Sequence, residues 1–108
     1  EMIAGLHQLA VRSHTAGLKI FCGTLLTFEL ESFNPGFYTS EGEAKRVAVN
    51  QWIRGCGAFD GVIDFEAALR DPGHPTRMLP EYDCGDHLHP SDAGYLRMGD
   101  IIDLSLFD

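Results

Sequence analysis

Positive charge is what this 108-residue sequence has least of. Eight lysines and arginines stand against sixteen aspartates and glutamates, a formal charge of −8, and they form no basic cluster. Such a chain is repelled by a phosphate backbone, which argues against nucleic acid as a partner. The same acidity disfavours docking on an anionic membrane. Long apolar runs are missing as well: none approaches the roughly 20 residues of a membrane span. Met2 opens a helix-like segment with no basic stretch before it, so no signal peptide is legible and the compartment stays open. Cysteine is sparse. Cys22, Cys56 and Cys84 are odd in number and widely spaced, which fits free thiols better than a disulfide framework, one bridge with one free thiol being the other option. Finally, Ser13, Ser32, Ser40, Ser91 and Ser105 all lie outside a Gly-x-Ser-x-Gly nucleophile elbow.

What is present suffices for one small domain. Hydrophobic residues make up 44% of the chain, enough for a modest core. Met2 to Ala16 reads as an amphipathic helix with Ile3, Leu6, Ala10 and Leu9 on one face, stopped by Gly17. His7 and His14 lie seven apart on that helix, not at the i, i+4 spacing of a metal pair, and read as partly exposed polar residues. Lys19 to Leu26 is a near-continuous apolar run, the pattern of a strand buried in a parallel sheet, with Cys22 as a small core residue. Thr24 near its end is expected to bond to backbone. Asn34-Pro35-Gly36 marks a loop flanked by Phe33, Phe37 and Tyr38, aromatics that pack under a loop or line an acyl pocket.

A second helix should begin at Thr39 or Ser40, where Ser40-x-x-Glu43 matches a capping box. Val47, Trp52 and Ile53 are expected inward, with Glu43, Lys45 and Arg46 as the solvated face. Val62 to Phe65 reads as a second short strand, with Asp64 capping the turn from Glu66 to Leu69. Arg70 to Pro75 reads as a proline-rich connector with His74 exposed, and Ser91 to Leu106 as a final helix placing Tyr95, Met98, Ile102 and Leu106 on one face. Gly94 and Gly99 within it suggest close approach to neighbours.

The chemistry concentrates in Asp83 to Tyr95. Pro90 biases His89 away from helical backbone, so Asp86 to His89 should form a tight turn, followed by a helix capped by Ser91 with Asp92 in its first turn. In such a turn Asp86 can accept a hydrogen bond from His89 Nδ1, which fixes the tautomer and leaves Nε2 as the basic nitrogen. Two rival readings exist on spacing alone. One is a metal site drawn from Asp83, Cys84, Asp86, His87 and His89, against which Gly85 and Pro90 argue because a His-x-His pair converges only in a strand. The other is a bare structural turn.

Flanking segments separate these readings. Asp86-x-x-His89 followed by Pro90 and a helix resembles the last conserved block of the SGNH hydrolases, the GDSL-like lipases and acylhydrolases. Arg12 to Lys19 leading into Gly23 to Leu26 is similar to a helix and fourth strand of that family. Glu41 to Arg46 through Val49 to Arg54 is similar to its next helix. Phe59 to Phe65 through Leu69 to Pro72 is similar to its fifth strand and the loop toward the catalytic histidine. Thr27 stands where the family suggests proline. The family's Gly-Asp-Ser block, its second-block glycine and its Gly-x-Asn-Asp block are absent from these residues.

The resemblance therefore implies an α/β fold, the C-terminal half of a flavodoxin-like SGNH sheet. About two parallel strands, joined by a right-handed crossover, would pack with three helices in a single partial domain over residues 1–108. It implies Asp86 and His89 as two members of a Ser-His-Asp triad for ester hydrolysis, with the serine and oxyanion donors supplied by another segment. In that motif position 87 is free to vary, and Cys84 is a neighbour, not the nucleophile. No metal or organic cofactor is called for. The alternatives are a non-catalytic assembly or binding unit and a thiol- or metal-dependent site at Cys84 and His87. An open edge on the first strand, finally, is expected to drive homo-oligomerisation.

Overall fold

A computed structural model describes all residues except Phe33 and Pro35. The expectations that rest on those two positions lie outside the described residues. The fold is α/β. Helix α1, Met2–Thr15, ends where Gly17 turns left-handed at φ +76°, and strand β1, Phe21–Gly23, follows. Helix α2, Ser40–Gly55, then crosses back to strand β2, Gly61–Ile63. The two strands pair in parallel, Phe21 opposite Gly61 and Gly23 opposite Ile63. Asp60 fastens the entry to both strands. Its Oδ2 accepts Ile20 N–H and His14 Nε2–H, each at 2.8 Å, and its own N–H donates to Ile20 C=O at 2.9 Å.

Beyond β2, Asp64 caps the short helix α3, Phe65–Leu69, by accepting Ala67 N–H at 3.2 Å. The segment expected as a connector is instead an antiparallel hairpin, β3 at Arg70–Asp71 and β4 at His74–Met78. Pro72 falls in its turn and Pro75 near the exposed start of β4, positions where proline removes no needed donor. Thr76 and Arg77 tie this hairpin to the loop after β1, both donating to Glu29 Oε2, at 2.6 and 2.8 Å. Helix α4 runs only from Asp92 to Asp100. Asp103 then starts a separate 3₁₀ turn, Leu104–Phe107, by accepting Ser105 N–H. That break returns Leu106 to the sheet, where a side chain at Gly61 would collide with it.

Among the described residues the core is small: Ala10, Val49, Ile53, Leu69 and Met78 are its buried apolar residues. Helix α2 departs from expectation. Its inward stripe is Glu43, Arg46, Val49, Asn50 and Ile53, while Val47 is exposed. Glu43 and Arg46 therefore do not form a solvated face; only Lys45 does, paired at 2.9 Å with Glu41. The reason is that Arg46 meets partners distant in sequence. It donates to Glu43, to Glu66 Oε2 at 2.8 Å and to Leu25 C=O at 3.1 Å. Asn50 completes the network, receiving Leu25 N–H and donating to Leu25 C=O and to Glu66, each at 2.8 Å. Burial pushes the Glu66 carboxyl up, but the bonds from Asn50 and Arg46 outweigh it and hold it below its usual range. A buried charge of this kind persists only when so paired. The network fixes the chain just past the carboxyl end of β1, the end at which open α/β sheets place ligands.

Candidate active site

The turn from Asp83 to Pro90 is closed at its neck by an antiparallel bridge between those two residues, and Cys84 N–H donates to His89 C=O at 3.1 Å. A 3₁₀ turn, Pro80–Tyr82, leads in, and α4 leads out. Ser91 joins the two. Its N–H donates to Tyr82 C=O at 2.7 Å, its hydroxyl donates to Glu81 C=O at 2.8 Å, and the same oxygen accepts Gly94 N–H as the cap of α4. Gly94 is required here, because a Cβ would lie 2.6 Å from Tyr82 O. Gly99, by contrast, has open space around it. The helix is thus clamped against the start of the turn.

Within the turn the two sequence-predicted residues meet. Asp86 Oδ2 lies 2.6 Å from His89 Nδ1, while Asp86 Oδ1 accepts the N–H groups of Leu88 and His89, each at 2.8 Å. The bond from the His89 ring, followed by the backbone N–H groups of His89 and Leu88, holds the Asp86 carboxyl well below the usual carboxylate range. An ionised carboxylate can only accept, so the proton of this contact sits on Nδ1. The imidazole is half exposed, with 52% of its side chain accessible. This is the arrangement of an oriented general base.

A second pair, not anticipated as such, stands beside it. Asp83 Oδ2 lies 2.6 Å from His87 Nδ1, and Asp83 Oδ1 accepts Gly85 N–H at 2.8 Å and His87 N–H at 3.1 Å. The signal in the sequence was an Asp-x-x-x-His spacing that overlaps the Asp-x-x-His one. Oxygens of Asp83 and Asp86 and the sulfur of Cys84 lie within 4.8 Å of one another. Each carboxylate already accepts an imidazole and two backbone N–H groups, so a metal there would have to displace the turn's own bonds.

Two hollows flank the turn. Leu88 helps to line an apolar cavity of about 990 Å³ with Leu25, Leu26, Phe28, Phe37 and Val49. Phe37 is thereby a wall residue, whereas Tyr38 packs edge-on against Phe28 with ring centroids 5.0 Å apart. His87 faces a smaller hollow of about 240 Å³ with His74, Arg77 and Asp83. Ser32 closes over the turn from the loop after β1, its N–H donating to Asp86 C=O at 3.0 Å and its hydroxyl to the same oxygen at 3.3 Å. Asp64, just past β2, is bound up elsewhere. Two bonds from Arg54 take its pKa down to about 2, against burial and with help from Ala67 N–H and the Thr24 hydroxyl. Thr24 and Asp64 are therefore parts of the frame; Thr24 also accepts Glu66 N–H at 2.9 Å.

Residues 1–102 match the family model described as GDSL-like Lipase/Acylhydrolase. No curated protein matches the chain.

Proposed function

The chain belongs to the GDSL-like lipase/acylhydrolase family, and from that premise we propose that Asp86 and His89 form the acid–base part of a carboxylic ester hydrolase. The observation that carries this reading is the 2.6 Å contact between Asp86 Oδ2 and His89 Nδ1, with the other carboxylate oxygen pinned by two backbone N–H groups. In the reaction, His89 Nε2 takes the proton of a serine hydroxyl as that oxygen attacks the ester carbonyl. The imidazolium then returns the proton to the leaving alcohol, and a water repeats the sequence on the acyl-serine. Asp86 keeps the tautomer and stabilises the imidazolium; no metal enters these steps. The apolar cavity bordered by Leu88 takes the acyl chain.

The serine comes from outside these 108 residues. The hydroxyls of Ser91 and Ser32 donate to the carbonyls of Glu81 and Asp86, so neither is aimed at an imidazole. The test is to express the chain with whatever its reading frame encodes upstream of Glu1 and to treat it with a fluorophosphonate. Labelling of a serine that His89→Ala abolishes supports the reading; a folded protein that is never labelled contradicts it.

A second reading, assembly through the sheet, rests on a different observation. Among the described residues β1 pairs only with β2, and Leu18, Leu104 and Phe107 are 60% or more exposed. The accessible surface is 6758 Å², whereas a compact monomer of 11.9 kDa exposes about 5,900 Å². The excess is close to the roughly 800 Å² that each partner buries in a standard interface. Light scattering on a dilution series should show a two-fold dimer at micromolar concentration. A stable monomer would mean that the open edge of β1 recruits no second copy.

A further inference from the structure

The Asp83–His87 pair repeats the geometry of Asp86–His89 within one turn, and the reading given above leaves it without a task. Both carboxylates use one oxygen for an imidazole Nδ1–H at 2.6 Å and the other for two backbone N–H groups. They differ in exposure: 10% of the Asp83 side chain is accessible, against 20% for Asp86. They differ in backbone too. His87 sits at φ +60°, left-handed, a conformation that a β-carbon disfavours; Leu30 is the other non-glycine residue with positive φ among those described. Something must hold His87 there, and Asp83 does so at two points, the backbone N–H and the ring.

The consequence lies one residue on. His87 lies between Asp86 and the two amides that Asp86 Oδ1 accepts, Leu88 N–H and His89 N–H, so its backbone conformation sets where those donors point. If His87 relaxed to an ordinary φ, those two donors would swing away. Asp86 would then keep its bonds to the half-exposed His89 ring and to the Cys84 thiol. The side chain at position 87 is locked through both its backbone N–H and its ring.

We propose that Asp83 and His87 are positioning residues for the Asp86–His89 pair: Asp83 latches His87 in its left-handed conformation, and that conformation aims the two N–H groups that seat Asp86. This rests on Asp86–His89 being the functional pair, and neither Asp83 nor His87 touches the reacting atoms.

The test is nuclear magnetic resonance on the whole 108-residue chain, which needs no turnover. Nitrogen-15 spectra report whether His89 carries its proton on Nδ1, and amide exchange reports Leu88 and His89. In the wild type His89 should be the Nδ1–H tautomer, with both amides protected. Asp83→Asn and His87→Ala should each lower that protection at least tenfold and mix the His89 tautomers, with the far-UV spectrum unchanged. His87→Asn should restore both. Asparagine tolerates the left-handed region and carries an N–H at the branch where histidine carries Nδ1. Wild-type signals persisting in His87→Ala would overturn the proposal, as would equal behaviour of His87→Ala and His87→Asn. The second criterion decides alone if Asp83→Asn fails to fold. A wild-type His89 without Nδ1–H would overturn the functional pair itself, and the latch with it.

Discussion

Replacing Arg46 with methionine keeps most of its volume and removes its charge, which isolates the contribution of the buried network. The guanidinium is 5% exposed, between Glu66 at 3% and Glu43 at 11%. Without it, two carboxylates face each other out of water, and Glu43 loses the partner that neutralises it. Asn50 still satisfies Leu25 C=O, so the backbone at the end of β1 is not orphaned. The expected loss is that of breaking a buried ion pair, about 3–5 kcal/mol. A domain of this size has roughly 5–15 kcal/mol in all, so the variant should fold only marginally. In urea, with a slope of about 2 kcal/mol/M, the unfolding midpoint should fall by roughly 2 M. Adding Glu43→Gln should recover part of the loss, with a coupling of at least ~1 kcal/mol in the double-mutant cycle. A variant within about 1 kcal/mol of wild type, or an additive cycle, would refute the view that paired burial holds α2 to α3.

Three further outcomes follow from particular atoms. Thr27 is 2% exposed and its hydroxyl has no hydrogen-bond partner among the described residues, so Thr27→Val should stabilise by about 1 kcal/mol in urea unfolding, and a loss would reveal a missed partner. Gly99→Ala should stabilise α4 by roughly 0.5–1 kcal/mol, while Gly94→Ala must push Tyr82 C=O away and should destabilise; equal effects on the melting temperature would refute the clamp. The depressed pKa of Asp64 means that its pairing with Arg54 contributes fully above the ordinary 3.8 and is lost as pH falls toward about 2. Unfolding midpoints should therefore decline across that window, and Arg54→Gln should flatten the decline; an unchanged profile would contradict the assignment.

How legible this was from sequence depends on how local each cause is. Gly17 as a stop, Asp64 and Ser91 as caps, and the Asp86–His89 turn all rest on partners within a few residues, and each stands where local chemistry places it. The inward side of α2 was not legible, because Arg46 and Asn50 are charged or polar and their partners, Leu25 and Glu66, lie 16 to 25 residues away. Periodicity sends such residues outward. The hairpin at Arg70 to Met78 was masked by its prolines, whose positions in the turn and at an exposed strand end are harmless. The break after Asp100 was hidden because Ile102 and Leu106 continue the helical spacing; only Asp103 as a new cap betrays it. The Asp83–His87 pair was overlooked because its spacing overlaps that of the family motif.

The central claim is that His89, oriented by Asp86, is the base of an ester hydrolase. Its most direct test is the rate of p-nitrophenyl butyrate hydrolysis by the chain expressed with its upstream reading frame, for wild type, Asp86→Asn and His89→Ala. Saturable turnover is expected, which His89→Ala abolishes and Asp86→Asn lowers roughly ten-thousandfold, the loss seen when a triad histidine takes the wrong tautomer. Turnover that survives both substitutions in folded protein would contradict it.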